Sequence, residues 1–596
     1  MPAPLSRRHS TAFAEFRCIQ RNIAVTSDLP METEPHYKRT YVTLFFASLA
    51  IAQGDDTVVE ETIAMHASSG ATAPQASGGD SVTSYFSYAE HSSTILAHIA
   101  LMTIGWCFVL PPAVILSIAR SHLAIPSQLL FLLLNAVGLL FGIIYNSQTP
   151  DLYENNAHHK IGWIVTAVVC VQFILALILA YGGRGEFNRS KPTSFDRASF
   201  LPVAMDEQES LYQSRERDDY RWSRDSGQGS GSLSPSCESH AEDDGFEKPE
   251  ELHTKPSGRC GWLSGSRVHR FLLNHIPGMV SARLLRTLNI LYNVVDRIIL
   301  PFGFIATATG AVTYGGIFHG EEVFNGVAHF IKGGIFFWYG ILTLGRVIGA
   351  WADLGWAWNK KPPASIVGWK ASVPSGEFVE SFVIWLYGVT NVFLEHLAGW
   401  GKEWTARDLQ HVSISFMFFG GGLAGMLVES RRIRDALNNT LLGQPSHPES
   451  KDDSWQPPKS QGVPLNPMPA LVILLLGLMM GSHRQSSMTS TMVHKQWGTL
   501  LIGFAIARGM TYILLFIRPP TSYLPGRPPT EIVAGFCLIA GGLIFMLSAR
   551  DVITAMESHK LDAMFTFTLG MGLTAFIMSL VVLVIAIKAW AVRRER

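Results

Sequence analysis

The sequence predicts an all-α, polytopic transmembrane protein, and three observations support this prediction. First, eleven apolar stretches approach the roughly 20 residues that a helix needs to cross the hydrocarbon core of a bilayer. Second, the 596-residue chain is 48% hydrophobic and only 16% charged, and its net charge is zero, so charge gives no basis for a nucleic-acid partner. Third, the apolar runs are continuous, which argues against the alternating pattern of barrel strands.

The eleven predicted spans follow one another along most of the chain. The shorter ones have about 15–17 apolar residues, so we expect flanking residues to complete them. The predicted spans are Thr94–Ser117, Ser127–Tyr145, Ile161–Tyr181, Ile298–Tyr314, Val323–Leu344, Phe378–Leu394, Ile414–Val428, Pro467–Gly481, Gly498–Phe516, Ile532–Leu547 and Met564–Ile587.

Residues 1–52 are predicted to be removed from the mature protein. The basic pair Lys38-Arg39 precedes a short apolar run that ends in small residues, a pattern typical of a signal peptide, with cleavage expected after Ala52. Because Met31 lies just upstream, the first 30 residues fit a gene-model extension. An uncleaved twelfth helix is the alternative. Residues 53–90 are expected to form a flexible lumenal or extracellular lead.

Two polar segments divide the rest of the chain. Residues 185–283 are rich in Ser, Arg, Asp, Glu and Gly, a composition that cannot bury enough apolar surface to offset the entropy of ordering. We predict a disordered cytosolic linker there, with the capacity to dock cytosolic proteins. It separates a three-helix unit at 91–184 from an eight-helix unit at 284–596, which a second polar linker interrupts at about 438–463.

Basic residues predict the orientation of the chain. Lys and Arg are more frequent in alternate loops, which satisfies the positive-inside rule if the mature N-terminus is outside. Arg346 is assigned to one of these inner loops, and the tail contains Arg593, Arg594 and Arg596. The protein is therefore predicted to be integral to a membrane of the secretory pathway, at the cell surface or internal, with a cytosolic C-terminus.

The histidines are unevenly distributed over this topology. Eleven fall at or near predicted outer helix ends, and only His122 lies at an inner helix end. Imidazole is a common ligand of haem iron and divalent metals, so the asymmetry predicts a site near the outer face; capping or a solvated loop edge is the alternative. The candidate ligands of zinc, iron or copper are His319, Glu322, His329, His411 and His494.

The first unit resembles part of the cytochrome b561 core. Its first helix reads HIALMTIGWCFVLPPAVILSIAR from His98, and its third begins HHKIGW at His158. The resemblance implies that one haem b is held between His98 and either His158 or His159, on the outer side. The second helix lacks the histidine that this family has there, and no fourth core helix follows directly, so the resemblance implies at most one haem.

The residues themselves leave other roles open for His98. A histidine inside an apolar membrane helix is costly and usually functional. A hydrogen bond to the backbone of a neighbouring helix, or to Asn135, would also satisfy the ring. Coordination of a metal other than haem iron is the third interpretation.

The second unit, together with the first, resembles the fungal Ytp-type integral membrane proteins. The resemblance is based on FHGEEVFNGVAHFIKGGIFFWYG, LGWAWNKKP, EHLAGWGKEW, QHVSISFMFFGGGLAGMLVE and MVHKQWGTLLIGFAIARG. It covers most of residues 90–590 outside the linkers. It implies a multi-pass membrane protein and no established activity.

Intramembrane charge adds one more expectation. Arg508 lies in the middle of the ninth span, where it needs an acidic partner, a cavity or a bound anion. Asp296 and Arg297, at the inner end of the fourth span, are expected to reach the interface by snorkelling.

Three functions follow from these patterns. One is a redox protein with an outer-side haem b that takes part in membrane electron transfer. The second is a metal- or ion-handling transporter that uses the outer His/Glu layer. The third is a non-enzymatic membrane scaffold.

Overall fold

The computed structural model describes residues 84–182, 281–320, 322–394, 403–438, 440, 458–482 and 485–595. Each of the eleven predicted spans is a helix, which confirms the all-α, polytopic prediction. We number these long helices α1 Ser92–Ile118, α2 Ala124–Gln148, α3 Ala157–Gly182, α4 Ala282–Gly315, α5 Glu322–Ile348, α6 Gly376–Leu394, α7 Ala406–Glu429, α8 Met468–Ser482, α9 Met488–Ile517, α10 Pro529–Leu547 and α11 Ala563–Arg594.

Within the described part of the chain, nine of these helices are both long and apolar enough to cross a bilayer. The other two are α8, which has 15 residues, and α6, which carries two glutamates near its start. The count of eleven crossings therefore stays a prediction. The predicted signal peptide and the predicted linker at 185–283 lie outside the described residues, except for the short stretch that leads into α4.

Helix α1 contains a π-helical turn at Ile104–Val109. It is followed by Pro111 and Pro112, which lack backbone N–H groups and would crowd the preceding turn of a regular helix. The turn includes Trp106, whose indole Nε1 donates a hydrogen bond of 3.1 Å to the Asn135 side chain on α2. The irregular backbone is thus tied to the neighbouring helix.

The four helices α1 to α4 pack around a small apolar core. Helix α1 lies against α2, and α3 lies against α4. At one level of this group the Gln172 side-chain nitrogen donates to Asp296 Oδ1 at 2.9 Å. Asp296 is only 1% exposed, so the expectation that it snorkels was wrong: a hydrogen-bonding partner on α3 holds the carboxyl group inside.

The larger helix group consists of α5 to α11, and helix α10 is its centre. It packs between α5 and α9, and small residues allow the close approach. A Cβ atom added at Gly333 of α5 would lie 2.6 Å from the Gly542 carbonyl oxygen of α10. Next to this seam, the Trp497 and Phe545 rings pack with centroids 4.3 Å apart.

Contacts between helix termini define two ends of the bundle. At the histidine end, the Tyr153 and His319 rings lie 4.2 Å apart, and Arg550 forms a 2.8 Å ion pair with Glu322. At the opposite end, His122 meets Glu595 near the C-terminus at 2.6 Å. Which end faces the cytosol stays a prediction.

Candidate functional site: two histidine pairs and a buried ion cluster

His98 and His158 face each other near the histidine end. His98 lies two turns into α1, and His158 lies in the first turn of α3. Their ring centroids are 6.3 Å apart and their planes cross at 77°. The structure therefore brings together the two residues that the cytochrome resemblance singles out, although 59 residues separate them in sequence.

Each ring of this pair is held by a carbonyl group of another helix. His98 Nδ1 lies 2.8 Å from the Gly138 oxygen on α2, and His158 Nδ1 lies 3.1 Å from the Ala306 oxygen on α4. A carbonyl oxygen only accepts, so each Nδ1 carries the proton and donates. In the neutral ring the Nε2 atom then has the lone pair that a metal ligand needs.

Between the two alternatives for the second ligand, geometry favours His158. His159 is exposed, and its Nε2 accepts a long hydrogen bond of 3.4 Å from Trp163. The bond from His98 to a neighbouring backbone is also present, as one interpretation of the sequence expected. It occupies Nδ1 only, so it is compatible with ligation through Nε2. Asn135 instead bonds Trp106 and Thr166.

Two glycines make room for these rings. A Cβ atom at Gly142 would lie 2.8 Å from His98 Nδ1, and one at Gly310 would lie 3.0 Å from His158 Cε1. The first separation is shorter than real Cβ contacts, and the second is tighter than nearly all of them, so a larger residue would displace the His98 ring and crowd the His158 ring. The position of each histidine thus depends on a small residue in the helix behind it.

A second histidine pair lies in the larger helix group. The rings of His329 on α5 and His494 on α9 have centroids 6.3 Å apart, with planes crossed at 85°. Their Nδ1 atoms donate to carbonyls one turn earlier in their own helices, to Asn325 and Ser490, at 2.8 Å each. The same tautomer is fixed as in the first pair, here without help from a second helix.

The other predicted metal ligands do not join this pair. His319 packs against Tyr153, Glu322 pairs with Arg550, and His411 lies on the wall of a neighbouring cavity. Among the described residues, no group of three or more His, Cys, Asp or Glu side chains has the spacing of a metal site. The five-residue metal site stays a prediction, and the structure unites two of its members.

A cavity of about 1410 Å³ lies between the larger helix group and α4. Its walls include His329, His411 and His494, and at the histidine end it reaches Arg550. At its other extreme it reaches Glu380, on α6. Most of the lining is aromatic or aliphatic, and polar side chains such as Asn391 and Ser490 are part of it.

Glu380 belongs to a buried ion cluster that the sequence did not reveal. Arg346 donates to Glu377 Oε1 at 2.6 Å and to Glu380 Oε1 at 2.5 Å, and its Nε donates to the Trp356 carbonyl. Its guanidinium carbon lies 4.2 Å from the centre of the Trp358 ring. Arg346 is 1% exposed, so its assignment to a solvated inner loop was wrong.

Arg508 completes the cluster from α9. It donates to Glu380 Oε2 at 3.0 Å, and its Nε lies 2.7 Å from Glu531 Oε1. The second contact lies outside hydrogen-bond geometry, and neither Glu531 oxygen has a hydrogen-bond partner among the described residues, so we treat it as an ion pair. Of the three alternatives that the sequence left open for Arg508, a partner, a cavity or a bound anion, the structure shows acidic partners.

The cluster has three carboxyl groups and two guanidinium groups, all nearly inaccessible to solvent. In a membrane interior such charges persist only when they are paired. Besides the central position of Arg508, the sequence contained one further signal, the spacing of Glu377 and Glu380, three residues apart and therefore on one face of α6. Hydropathy alone places charged residues near a helix end at the interface between membrane and water. The role of Glu377 and Glu380 in a buried ion cluster was therefore missed.

Two family models match the chain on either side of the undescribed linker. Residues 302–589 match the model described as "Protein YTP1-like, C-terminal", and residues 79–182 match a domain of unknown function, DUF2427. An uncharacterized membrane protein of Schizosaccharomyces pombe is 34% identical over 85% of this chain and 96% of its own length. The chain belongs to the YTP1-like family.

Two further relatives agree with this assignment. An uncharacterized membrane protein of Saccharomyces cerevisiae is 37% identical over 53% of this chain and 51% of its own length. Protein YTP1 of the same yeast is 27% identical over 37% of each chain. No solved structure matches the chain. The names of these YTP1-like relatives mention no cytochrome, so the b561 resemblance stays a prediction.

Proposed function

We propose that this membrane protein binds one haem b between His98 and His158 and takes part in membrane electron transfer. The observation that carries the proposal is the geometry of the pair. Both rings lie at the same end of the bundle, 6.3 Å apart between centroids, with Nδ1 occupied by a backbone carbonyl. Histidines that ligate metals almost always donate their other N–H in this way.

The separation of the rings fits two axial ligands of one iron. A nitrogen–metal bond of about 2 Å on each side, plus the radius of each ring, puts the centroids of two opposed imidazoles roughly 6 Å apart. The measured 6.3 Å agrees with this value. In the absence of a cofactor, two neutral histidines would gain little from being held at this distance, because neither donates a hydrogen bond to the other.

The number of ligands favours haem over a free metal ion. A structural zinc site uses four protein ligands and a catalytic one uses three. The described residues contain no such group. Haem brings four equatorial nitrogens of its own, so a pair of histidines completes the coordination of its iron.

The bound haem would supply a one-electron couple between ferric and ferrous iron. The protein residues would provide the position of the ligands. Gly138 and Ala306 keep each imidazole in the tautomer that ligates, and the spaces at Gly142 and Gly310 fix where the rings lie. Hydrogen bonds to the ligating rings and burial of the site tune the potential of such a couple.

The test is haem content and the reduced-minus-oxidised spectrum of the full-length protein, purified in mild detergent. His98→Ala and His158→Ala should each remove one haem equivalent per chain. His159→Ala is the matched control, because it changes the next residue of the same helix and should leave the haem in place. A wild-type protein with no haem, or a His98→Ala variant with unchanged haem content, would overturn the proposal.

A second candidate function is metal or ion handling, and the cavity between the histidine end and Glu380 favours it. A passage through a bundle needs polar groups at intervals along an otherwise apolar wall. His411→Ala/His494→Ala, which changes two histidines of the cavity wall, should then lower uptake of zinc, iron or copper into vesicles relative to wild type. Equal uptake in both would leave this function without support.

We infer a secretory-pathway membrane and a cytosolic C-terminus, from the basic tail and the positive-inside rule. Protease protection of a C-terminal tag in sealed microsomes tests the orientation. The scaffold alternative depends on the linker at 185–283, and deletion of that segment with scoring of co-purifying cytosolic proteins tests it.

A further inference from the structure

The His329–His494 pair has the same ring separation as the His98–His158 pair, although it is built from different helices. Both separations are 6.3 Å, and both pairs have nearly perpendicular rings. The two pairs share no residue, helix or hydrogen-bonding carbonyl. The same distance in two unrelated settings is unexpected for histidines that only fill space. The second pair is therefore a candidate pair of metal ligands, like the first.

The ligating nitrogen of each ring is specified locally. The Asn325 and Ser490 carbonyls, one turn before each histidine, accept from Nδ1 at 2.8 Å. Protonation of Nδ1 leaves Nε2 as the lone-pair atom in each neutral ring. His494 is 5% exposed, so this arrangement is shielded from water.

The space beside the pair is large enough for a cofactor. The cavity that both rings line measures about 1410 Å³, above the roughly 300–1,000 Å³ typical of small-molecule pockets. The second pair therefore has room for a large planar group as well as the ligands to hold one.

The lining has the distribution that an amphiphilic macrocycle requires. Phe304, Phe330 and Ile473 belong to its apolar wall, against which a flat ring system packs. Ser487 and Arg550 lie on the wall at the histidine end, and the Arg550 side chain is 69% exposed. Carboxylate substituents of a macrocycle would meet a cation and water there.

The ligand count selects the class of cofactor. Although His411 also lies on the cavity wall, the described residues provide no three-ligand group for a bare cation. An iron porphyrin needs only two axial ligands from the protein. We propose that His329 and His494 would hold a second iron porphyrin through their Nε2 atoms, in the cavity that both rings line.

Haem stoichiometry of the full-length protein tests this proposal separately from the first. Wild type should contain two haems per chain, and His329→Ala or His494→Ala should contain one. His98→Ala should also contain one, and His98→Ala/His329→Ala should contain none. His159→Ala is again the control, since its ring is exposed and accepts a hydrogen bond from Trp163.

A loss of haem through misfolding must be separated from the loss of a ligand. The His329→Gly variant leaves a space that added imidazole can fill. Imidazole should therefore raise the haem content of His329→Gly from one to two per chain. In His98→Ala/His329→Gly it should raise the content from none to one. Failure of imidazole to restore it, or two haems in His329→Ala, would overturn the proposal.

The outcomes for the two sites differ. A wild type with one haem that is lost in His98→Ala and kept in His329→Ala would overturn the second site and leave the first. A single haem lost only in His329→Ala and His494→Ala would do the reverse.

Discussion

The histidine pairs and the ion cluster both place polar side chains inside an apolar bundle, but they satisfy them differently. The histidines are neutral rings, each held by one backbone carbonyl. The cluster consists of full charges from α5, α6, α9 and α10 that satisfy one another. Removing a histidine leaves a carbonyl oxygen with one fewer donor. Removing an arginine leaves a buried carboxylate without its counter-charge.

This difference assigns the two regions different tasks. A buried charge pair broken from one side costs far more than a neutral hydrogen bond, so the cluster has to remain intact for the helices to stay together. The histidines can be exchanged at small cost to the fold. The fold therefore depends less on these histidines than on the cluster, and binding a ligand is a role that their loss from the fold would not mask.

The largest effect is expected from Arg508→Ala. The change leaves Glu531 without its one cation and Glu380 with a single arginine, which should destabilise the protein by about 3–5 kcal/mol. The midpoint of thermal unfolding in detergent, followed by fluorescence-detected size-exclusion chromatography, measures the effect. Arg593→Ala, at an exposed site near the C-terminus, should leave the midpoint unchanged. Equal midpoints for the two variants would contradict the assignment of the cluster to stability.

Gly142→Ala should have the next largest effect. The added methyl group would overlap His98 Nδ1 and push the ring away from the Gly138 carbonyl, at a cost of about 1–3 kcal/mol. Haem content should fall together with stability. Gly162→Ala is the matched control, because nothing lies within 4 Å of the added atom. Normal haem binding in Gly142→Ala would show that the ring position does not matter.

His329→Ala should destabilise the protein by only about 1 kcal/mol. It removes one neutral hydrogen bond, worth about 0.5–1.5 kcal/mol, and alanine improves the helix propensity in return. The unfolding midpoint of the haem-free protein should therefore fall much less than in Arg508→Ala. A fall of similar size would remove the distinction between the two regions.

The smallest effect is a dependence on pH at the end opposite the histidines. Burial acts to raise the pKa of Glu595, but hydrogen bonds from the His122 backbone and ring and from Ser121 lower it below its usual 4.5. A lowered pKa adds stability above pH 4.5 that is lost as the pH falls through the folded value. For such an exposed group the gain is about 0.5 kcal/mol or less. Wild type should lose slightly more stability than Glu595→Gln between pH 6 and pH 4; identical losses would exclude a role for this contact.

The helices were predictable because hydropathy is a local property. All eleven segments could be located from runs of apolar residues, and the central position of Arg508 in α9 indicated that it needs a partner, a cavity or a bound anion. The identity of that partner did not, since Glu531 and Glu380 lie 23 and 128 residues away. Arg346 was misassigned because it lies near a helix end, where a sequence cannot distinguish a solvated residue from a buried one.

For the histidines, too, the sequence predicted part of the arrangement and the rest required the structure. His98 and His158 could be paired by resemblance to a known helix pattern, whereas the choice between His158 and His159 required the orientation of α3. His329 and His494 could only be listed individually, because 164 residues separate them. No local pattern specifies which ring faces which.

By itself, the sequence determined that this chain is a helical membrane protein, where its helices lie and which side chains are too polar to be left unpaired in a bilayer. Only the tertiary structure decided the pairs: ring with ring at 6.3 Å, and arginine with glutamate inside the bundle. The physical reason is the distance along the chain between the residues that each interaction joins. Apolar burial acts through each segment's own composition, whereas a coordination distance or an ion pair exists only after separate helices have packed.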